Sequence, residues 1–456
     1  MLDIKFVREN LAEVKKALEK KHSKFDLDGL LALDDKRKKL LQKVENLRAE
    51  QKKISSPRHS EERSDEESHD SKRSFPADSA GQDDNIKKAK AIKEELKRLQ
   101  PELEKAEKEY SLAASKIHNI PHPTVPAGPD ETGNKVERMV GKKPEFSFKP
   151  KDHFELGKNL DLIDMERATK ISGTRFAFLK NELFELEFAL VRWLTDLLKE
   201  KGFTMVIPPV LVKERAMQGS GFFPAEEGEY YAVGKEDKED IEDKLYLAGT
   251  SEVPLVSYHA DEILTEKELP KKYAAFSSCF RREAGSYGKD TRGIMRLHQF
   301  DKIEMVKVTV ADDGLWDADS WKEYEELLAI AEEILQKLGL HYRVMLMCGG
   351  DIGMPNAKKF DTEVWLPGAG EYRELQSCSH DTDFQARRLK IRYKNKKGET
   401  KLCHTMNSTA LAIGRTLVAI MENYQQEDGS ILVPEILKKY LDFDVIKKSE
   451  SEILFS

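Results

Sequence analysis

Between Ile92 and Ile117 the residues Ile92, Leu96, Leu99, Leu103, Ala106, Tyr110, Ala113 and Ile117 recur alternately four and three apart, a heptad seam flanked mostly by Lys and Glu. A stripe that narrow can be buried only against another helix. Upstream, Leu33, Leu40, Leu47 and Ile54 fall seven apart with Val44 between them. The simplest pairing is an antiparallel helical hairpin, each helix covering the other's one apolar stripe. At about 1.5 Å per residue the second helix would run about 50 Å, long enough to project as an arm. Pro101 lies inside the seam and predicts a kink or local break. Lys36, Arg37, Lys38, Lys39, Lys43, Arg48, Lys52, Lys53, Lys87, Lys88, Lys90, Lys93, Lys97 and Arg98 line these helices. They suit either phosphate contacts or an ordinary solvated coiled-coil face.

Residues 55–85, between the two helices, hold eight serines and nine acids against four bases, with Phe75, Ala77 and Ala80 almost the sole apolar side chains. Such a segment cannot bury enough apolar surface to offset its ordering entropy and is expected to be a disordered insertion at the tip of the arm. After Ile117, the prolines 121, 123, 126 and 129 end the helix and mark a linker. The organisation expected is therefore a helical arm over 1–120, a linker over 121–150 and a mixed α/β body over 151–456. In that body Leu183, Leu186, Leu190, Leu194 and Leu197 form an apolar helix that Gly202 closes, before a strand that begins at Phe203 and ends at Pro208-Pro209.

The chain has 456 residues and a formal charge of −7, so attraction to nucleic acid would have to come from a local basic surface. No apolar run approaches the roughly 18 residues that cross a bilayer, and the first residues lack the build of a signal peptide. A cytoplasmic protein without membrane association is expected. The four cysteines (279, 348, 378 and 403) form no CxxC pair, which fits reduced thiols. Cys378 with His380 and Cys403 with His404 make two short pairs in separate segments, weak material for zinc, and no zinc site is expected.

Four clusters in the second half carry chemistry: Thr250-Ser251-Glu252; the run from Phe280-Arg281-Arg282-Glu283 to His298-Gln299-Phe300-Asp301-Lys302-Ile303-Glu304; Glu374-Leu375-Gln376-Ser377; and Asn407-Ser408-Thr409 with Gly414-Arg415. None makes a Ser/His/Asp triad, a Walker loop or a GxGxxG turn. Between them they supply what a P-loop-free Mg-ATP site needs: arginines for phosphates, an aromatic for the base, and oxygen ligands for magnesium.

The second cluster, with its Phe-Arg-Arg-Glu-Ala-Gly-Ser wording, resembles motif 2 of the class II aminoacyl-tRNA synthetases. Gly414-Arg415 resembles motif 3, and the helix and strand over 183–209 resemble motif 1. With Thr250-Ser251-Glu252, His298 to Glu304, and Ser377-Cys378-Ser379 followed by Asp383-Phe384-Gln385-Ala386-Arg387-Arg388, the chain is similar to the bacterial type of seryl-tRNA synthetase over nearly its whole length outside 55–85. The resemblance implies an α+β fold: an antiparallel-sheet class II catalytic domain with an N-terminal antiparallel coiled-coil arm.

It also implies roles. Arg281 and Arg415 would be catalytic, Arg281 bridging the serine carboxylate and the α-phosphate and Arg415 clamping the γ-phosphate. Glu283, Leu297 and Phe300 would hold the adenine, with Arg282, Leu375 and Gln376 completing the ATP site, and Glu374 and Ser377 would hold Mg²⁺. Thr250 and Glu252 would take the serine ammonium with Ser251 and Asn407 beside them, while Glu304 and Thr409 would recognise the hydroxyl. The implied partners are L-serine, ATP, tRNA(Ser), tRNA(Sec) as a second acceptor, and a second copy of the chain. The sequence departs from the family at Thr409, where bacterial relatives often have Ser, at Gln376, and at His380-Asp381-Thr382. Two other readings share these residues: amino-acid activation for a non-tRNA acceptor, and a coiled-coil RNA-binding protein with an inactive synthetase-like half. The second predicts degraded motifs, whereas Arg281, Glu283, Glu374 and Arg415 are all present.

Overall fold

The structure, a computed structural model, describes residues 2–55, 79–224, 229–234, 244–283, 292–311, 316 and 319–448. It divides into two compact units, Phe25–Ile117 and a larger one formed by Met1–Lys24 with His118–Ser456.

The smaller unit is the helical hairpin, α1 (Leu27–Ser55) and α2 (Ser79–Ser115). Its seam is the one the heptads mark: Val44, Leu99 and Leu103 are buried, with Leu40, Leu41, Leu47 and Leu96 packed against them. Lys36 pairs with Glu109 at 3.2 Å and Arg48 with Gln100 at 2.9 Å, so numbers rise along one helix as they fall along the other. Arg37 binds the buried Asp34 at 2.8 Å and lies over the Tyr110 ring. Several of the arm's cations are thus engaged within the hairpin.

Two expectations change here. Helix α2 runs through Pro101 without a break; Leu99 and Leu103, buried on either side, hold both halves against α1 while the proline removes a single donor. It also begins at Ser79, so residues 79–85, assigned to the insertion, are helical. Extending a formed helix costs far less than nucleating one. The rest of the proposed disordered insertion, 56–78, lies outside the described residues.

The larger unit is built on an eight-stranded sheet. Its strands in chain order are β1 (Lys135–Val140), β2 (Thr204–Val206), β3 (Lys271–Phe280), β4 (Gln299–Thr309), β5 (Tyr342–Leu346), β6 (Lys358–Leu366), β7 (Glu371–Thr382) and β8 (His404–Ala412). In space they run β1-β5-β6-β7-β8-β4-β3-β2. Every pairing is antiparallel except that of the edge strand β2 with β3. Helix α3 (Glu182–Glu200) buries Leu183, Leu186, Leu190, Leu194 and Leu197, and Gly202 at φ 82° turns the chain into β2 as its sequence position suggests. Helix α4 (Asp319–Lys337) and helix α5 (Ile413–Asn423) add Leu327, Ile334, Leu417 and Ile420 to the same core. With apolar cover of this kind the central strands are buried on both faces, so polar side chains found among them have been placed there against a desolvation cost. Among the described residues no helix is long and apolar enough to cross a membrane.

Candidate active site

Side chains two apart on a strand share a face, so Phe300, Lys302 and Glu304 of β4 point one way and Asp301 and Ile303 the other. On β7, Glu374 and Ser377 are an odd number of residues apart yet line the same cleft. The register slips between Thr362 and Glu363 on the paired strand β6, where one extra residue of β7 is absorbed. A second slip, between Ile303 and Glu304, sets Glu304 opposite Thr409 of β8. Two bulges thus bring chemistry-bearing residues of three strands together.

The cleft is lined by Arg281, Glu283, Leu297, Phe300, Lys302, Glu374, Leu375, Ser377, Thr409 and Arg415, together with Ile294, Met295, Arg296, Ala412 and Gly414. Arg281 lies 5.3 Å from the centre of the Phe300 ring, and its Nε donates to the Gly249 carbonyl at 3.2 Å. Glu283 takes an ion pair from Arg296 at 2.7 Å. Arg415 donates to the Glu374 carbonyl at 2.7 Å and lies 3.4 Å from its carboxylate. Burial works to raise the pKa of Glu374, but Arg415 first, then Lys359 and Arg281, hold it down at about 2. Its carboxylate therefore stays charged at any physiological pH. A charged carboxylate and the Ser377 hydroxyl are hard oxygen donors, a set that fits Mg²⁺.

Below this cleft lies a buried polar floor. Lys302 meets Glu304 at 2.5 Å, and the Thr409 hydroxyl donates to the same carboxylate oxygen at 3.0 Å. Glu252, at the start of the short helix Glu252–Ser257, accepts from the Gln385 side chain at 2.8 Å. Burial foremost, then the fields of Asp381 and Glu304, push it up to about 8. The Thr250 hydroxyl accepts from the Glu252 backbone at 3.2 Å, and Asn407 reaches Asp381 at 3.5 Å.

Three of the residues expected in the site have partners of their own. Gln376 is on the far face of β7, where its amide is held by the Ala331 and Ala410 carbonyls and the Thr362 hydroxyl. Arg282 lies over Tyr231 instead of lining the cleft. The Ser251 hydroxyl shares a 2.6 Å hydrogen bond with Ser277. Residues 284–291, which follow Glu283, lie outside the described residues. The potential zinc ligands His380 and His404 both engage the Ser320 hydroxyl, at 3.3 and 3.0 Å, and Trp321 stacks on His380. Among the described residues no three metal-ligating side chains converge.

Lys302, Gln385 and Asp381 belong to this floor but were not assigned to the site from sequence. Lys302 had a signal, since it stands two residues before Glu304 in a strand. Gln385 and Asp381 gave none: Asp381 meets Asn407 through the pairing of β7 with β8, and Gln385 meets Glu252 through the approach of two short helices, Phe384–Leu389 and Glu252–Ser257.

Comparison with known proteins agrees with this geometry. Residues 1–121 match the seryl-tRNA synthetase N-terminal domain, and residues 231–424 match the tRNA synthetase class II core domain (G, H, P, S and T). The chain is 43% identical over 449 residues to the serine–tRNA ligase of Thermodesulfovibrio yellowstonii, covering 98% of this chain and 100% of that protein. It is 40% identical over 444 residues to that of Nitrosopumilus maritimus, covering 97% and 99%. The seryl-tRNA synthetase of Pyrococcus horikoshii, solved with ATP, superposes with a TM-score of 0.83 at 37% identity, covering 99% and 100%. The cytoplasmic enzyme of Naegleria fowleri, solved with AMP, gives 0.80 at 32% identity, covering 99% of each chain. With matches this extensive, and with an arginine-lined cleft above a buried glutamate and threonine, the chain belongs to the seryl-tRNA synthetase family of class II aminoacyl-tRNA synthetases.

Proposed function

We propose that this enzyme activates L-serine with ATP and passes the seryl group to tRNA(Ser), and to tRNA(Sec) as a second acceptor, in the cytoplasm. The observation that carries the choice of amino acid is the contact of Thr409 with buried Glu304, two groups that a substrate hydroxyl can join and a methyl cannot. A site built for a hydroxyl leaves its own polar groups unpaired when alanine or glycine enters, so rejection can reach roughly 10⁴ to 10⁵.

In the first step a serine carboxylate oxygen attacks the α-phosphorus of ATP as the bond to pyrophosphate breaks. Arg281, with its guanidinium in the cleft, is suited to lie between the carboxylate and the α-phosphate, neutralising both as they approach. Phe300 offers the adenine a stacking face, Glu283 a carboxylate for its amino group, and Leu297 its backbone. Arg415 clamps the γ-phosphate. Glu374 and Ser377 would hold Mg²⁺, which when bound supplies charge neutralisation for the phosphates. Glu252 and Thr250 take the serine ammonium, with Asn407 beside them. In the second step the 3′-hydroxyl of the terminal ribose attacks the seryl carbonyl and AMP leaves. Such a reaction needs position and charge stabilisation more than a protein nucleophile, which accounts for the missing triad.

The domain assignment we adopt is an arm over 1–120, a linker over 121–150 and a catalytic domain over 151–456. The arm of one protomer would bind the long variable arm of a tRNA charged by the other. What supports a homodimer is the face of α3, where Phe184 and Phe188 are exposed beside Phe178 and Ile171. Amino-acid-dependent ATP–pyrophosphate exchange over all twenty amino acids tests the central reading. Exchange with serine is expected, and its absence would overturn the assignment.

A further inference from the structure

Asp381, near the end of β7, is fully buried. One of its carboxylate oxygens accepts from the Asn356 amide at 2.7 Å, and the other lies 3.5 Å from the amide of Asn407. Behind Asn356 stands the buried ammonium of Lys21, which donates to the carbonyls of Gly353, Met354 and Asn356 at 2.9, 3.3 and 2.6 Å. The Asn119 amide holds the Asp381 carbonyl and the Thr382 hydroxyl, at 2.8 and 3.0 Å, so the backbone here is pinned independently of the carboxylate.

Three buried carboxylates, those of Glu252, Glu304 and Asp381, therefore share one interior. Lys302 answers Glu304 directly, whereas Glu252 and Asp381 are met by neutral amides. A charge met only by amides is incompletely compensated in a low-dielectric interior. Lys21 and Lys302 act on Glu252 and Asp381 only from a distance, which leaves room for a cation that arrives from outside. We propose that Asp381 is a positioning residue of the amino-acid site, a carboxylate standing behind Asn407 and Glu252 whose negative potential draws the substrate ammonium and couples its binding to loss of a proton from the carboxylates. The proposal rests on the reading that Glu252 receives the ammonium.

The charged and titratable groups facing this pair bear on its sign. Glu252 faces Asp381 and Glu304, which oppose its ionisation, and Lys302 and the Gln385 amide, which favour it. Its own field also reaches Tyr230, near Arg281. Burial pushes Asp381 up to about 7, against the Asn356 hydrogen bond and the Lys21 charge. Tyr324, in the field of Asp381, is raised well above its ordinary range and stays neutral. Lys21 is itself brought down to about 7 by burial. Raising the pH from 6 to 9 therefore ionises the carboxylates and discharges Lys21, and both changes favour a bound cation.

The test is the KM for serine in ATP–pyrophosphate exchange between pH 6 and 9, with the KM for ATP measured alongside to report an intact nucleotide site. In the wild type the serine KM should fall as pH rises, with kcat and the ATP KM nearly flat. D381N keeps an acceptor for Asn356 but removes a like charge, so the midpoint should move down by about one pH unit. It should also raise the serine KM several-fold at pH 8.5. N356A removes a donor that stabilises the Asp381 anion, so the fully ionised state should need a higher pH and the midpoint should move up. A purely structural Asp381 would leave both midpoints where the wild type has them, and that result overturns the proposal. If the wild type shows no exchange with serine, the assignment of Glu252 fails, and this proposal fails with it.

Discussion

Lys302 and Glu304, two residues apart on one face of β4, meet at 2.5 Å inside the sheet, and Thr409 of β8 donates to the same carboxylate oxygen from 3.0 Å. Both members of the pair are almost wholly buried. The ammonium offsets the cost of carrying a carboxylate into a dry interior, and that carboxylate is the group we propose as receiver of the substrate hydroxyl.

Removing the ammonium should therefore be harsher than removing both charges. K302M leaves Glu304 buried without its counter-ion and is expected to lower stability by about 3 to 5 kcal/mol. The double variant K302M/E304Q should recover most of that loss while remaining unable to select serine. Urea unfolding midpoints for the wild type, the single variant and the double variant measure the coupling. Equal losses in both variants would contradict it.

T409V keeps the shape of the residue and removes its hydroxyl. One acceptor lone pair of Glu304 is left without its donor in the free enzyme, and the substrate loses a neighbour in its hydrogen-bond network. Discrimination between serine and alanine, read as the ratio of kcat/KM in exchange, should fall by about tenfold, the equivalent of one hydrogen bond of about 1.4 kcal/mol. T409S should keep it.

The hairpin and the α3 to β2 passage were both legible in the sequence, because each rests on local periodicity or on one glycine. What could not be read was which face each strand residue takes near a bulge. Simple alternation puts Glu374 and Gln376 together and Ser377 opposite; the extra residue in β7 puts Glu374 with Ser377 and sends Gln376 into the core. Lys302 was legible in principle through its spacing from Glu304. Asp381 and Gln385 were not, since they meet Asn407 and Glu252 only once segments separate in sequence are packed together. The continuity of α2 through Pro101 likewise depends on α1, which local propensity does not include.

Glu252 makes stability without substrate depend on pH. Burial, with Asp381 and Glu304 next, raises its folded value to about 8, above the unfolded value of about 4.3. The folded state then binds more protons than the unfolded state between those values. The contribution is fully present below about pH 4.3 and is lost as pH rises through about 8. E252Q should flatten this part of the profile and make the apoprotein more stable than the wild type at pH 8, while abolishing serine exchange. Thermal denaturation from pH 5 to 8.5 compares the two; parallel curves would show that Glu252 carries no such linkage.

Arg415 both contacts the Glu374 carbonyl and lies near its carboxylate. R415A should lower kcat for exchange by about 10² to 10³, the scale for a preorganised group that stabilises developing charge. The loss of the nearest cation should also let Glu374 rise from about 2, so activity in the variant should begin to fall at a higher acidic pH than in the wild type. A pH–rate profile that keeps its acid limb would argue that Lys359 and Arg281 alone hold Glu374 down.

All the residues assigned to serine activation come from the unit formed by Met1–Lys24 and His118–Ser456, and none from the hairpin. Replacing residues 56–78 by a short Gly/Ser loop leaves α1 and α2, with their contacts through Val44, Leu99 and Leu103, in place. A shorter loop also costs slightly less entropy to close. Serine-dependent exchange should stay within about twofold of wild type, because closing a shorter loop changes the hairpin's free energy by less than about 1 kcal/mol. Aminoacylation is the more sensitive readout: removing this stretch, with seven acids against four bases, takes away a source of repulsion toward RNA, so the KM for tRNA should fall at low salt and converge with the wild type as salt is raised. Loss of exchange in this variant would mean that the hairpin supports the catalytic unit, and an unchanged KM for tRNA at low salt would mean that the acidic stretch lies beyond reach of the bound RNA.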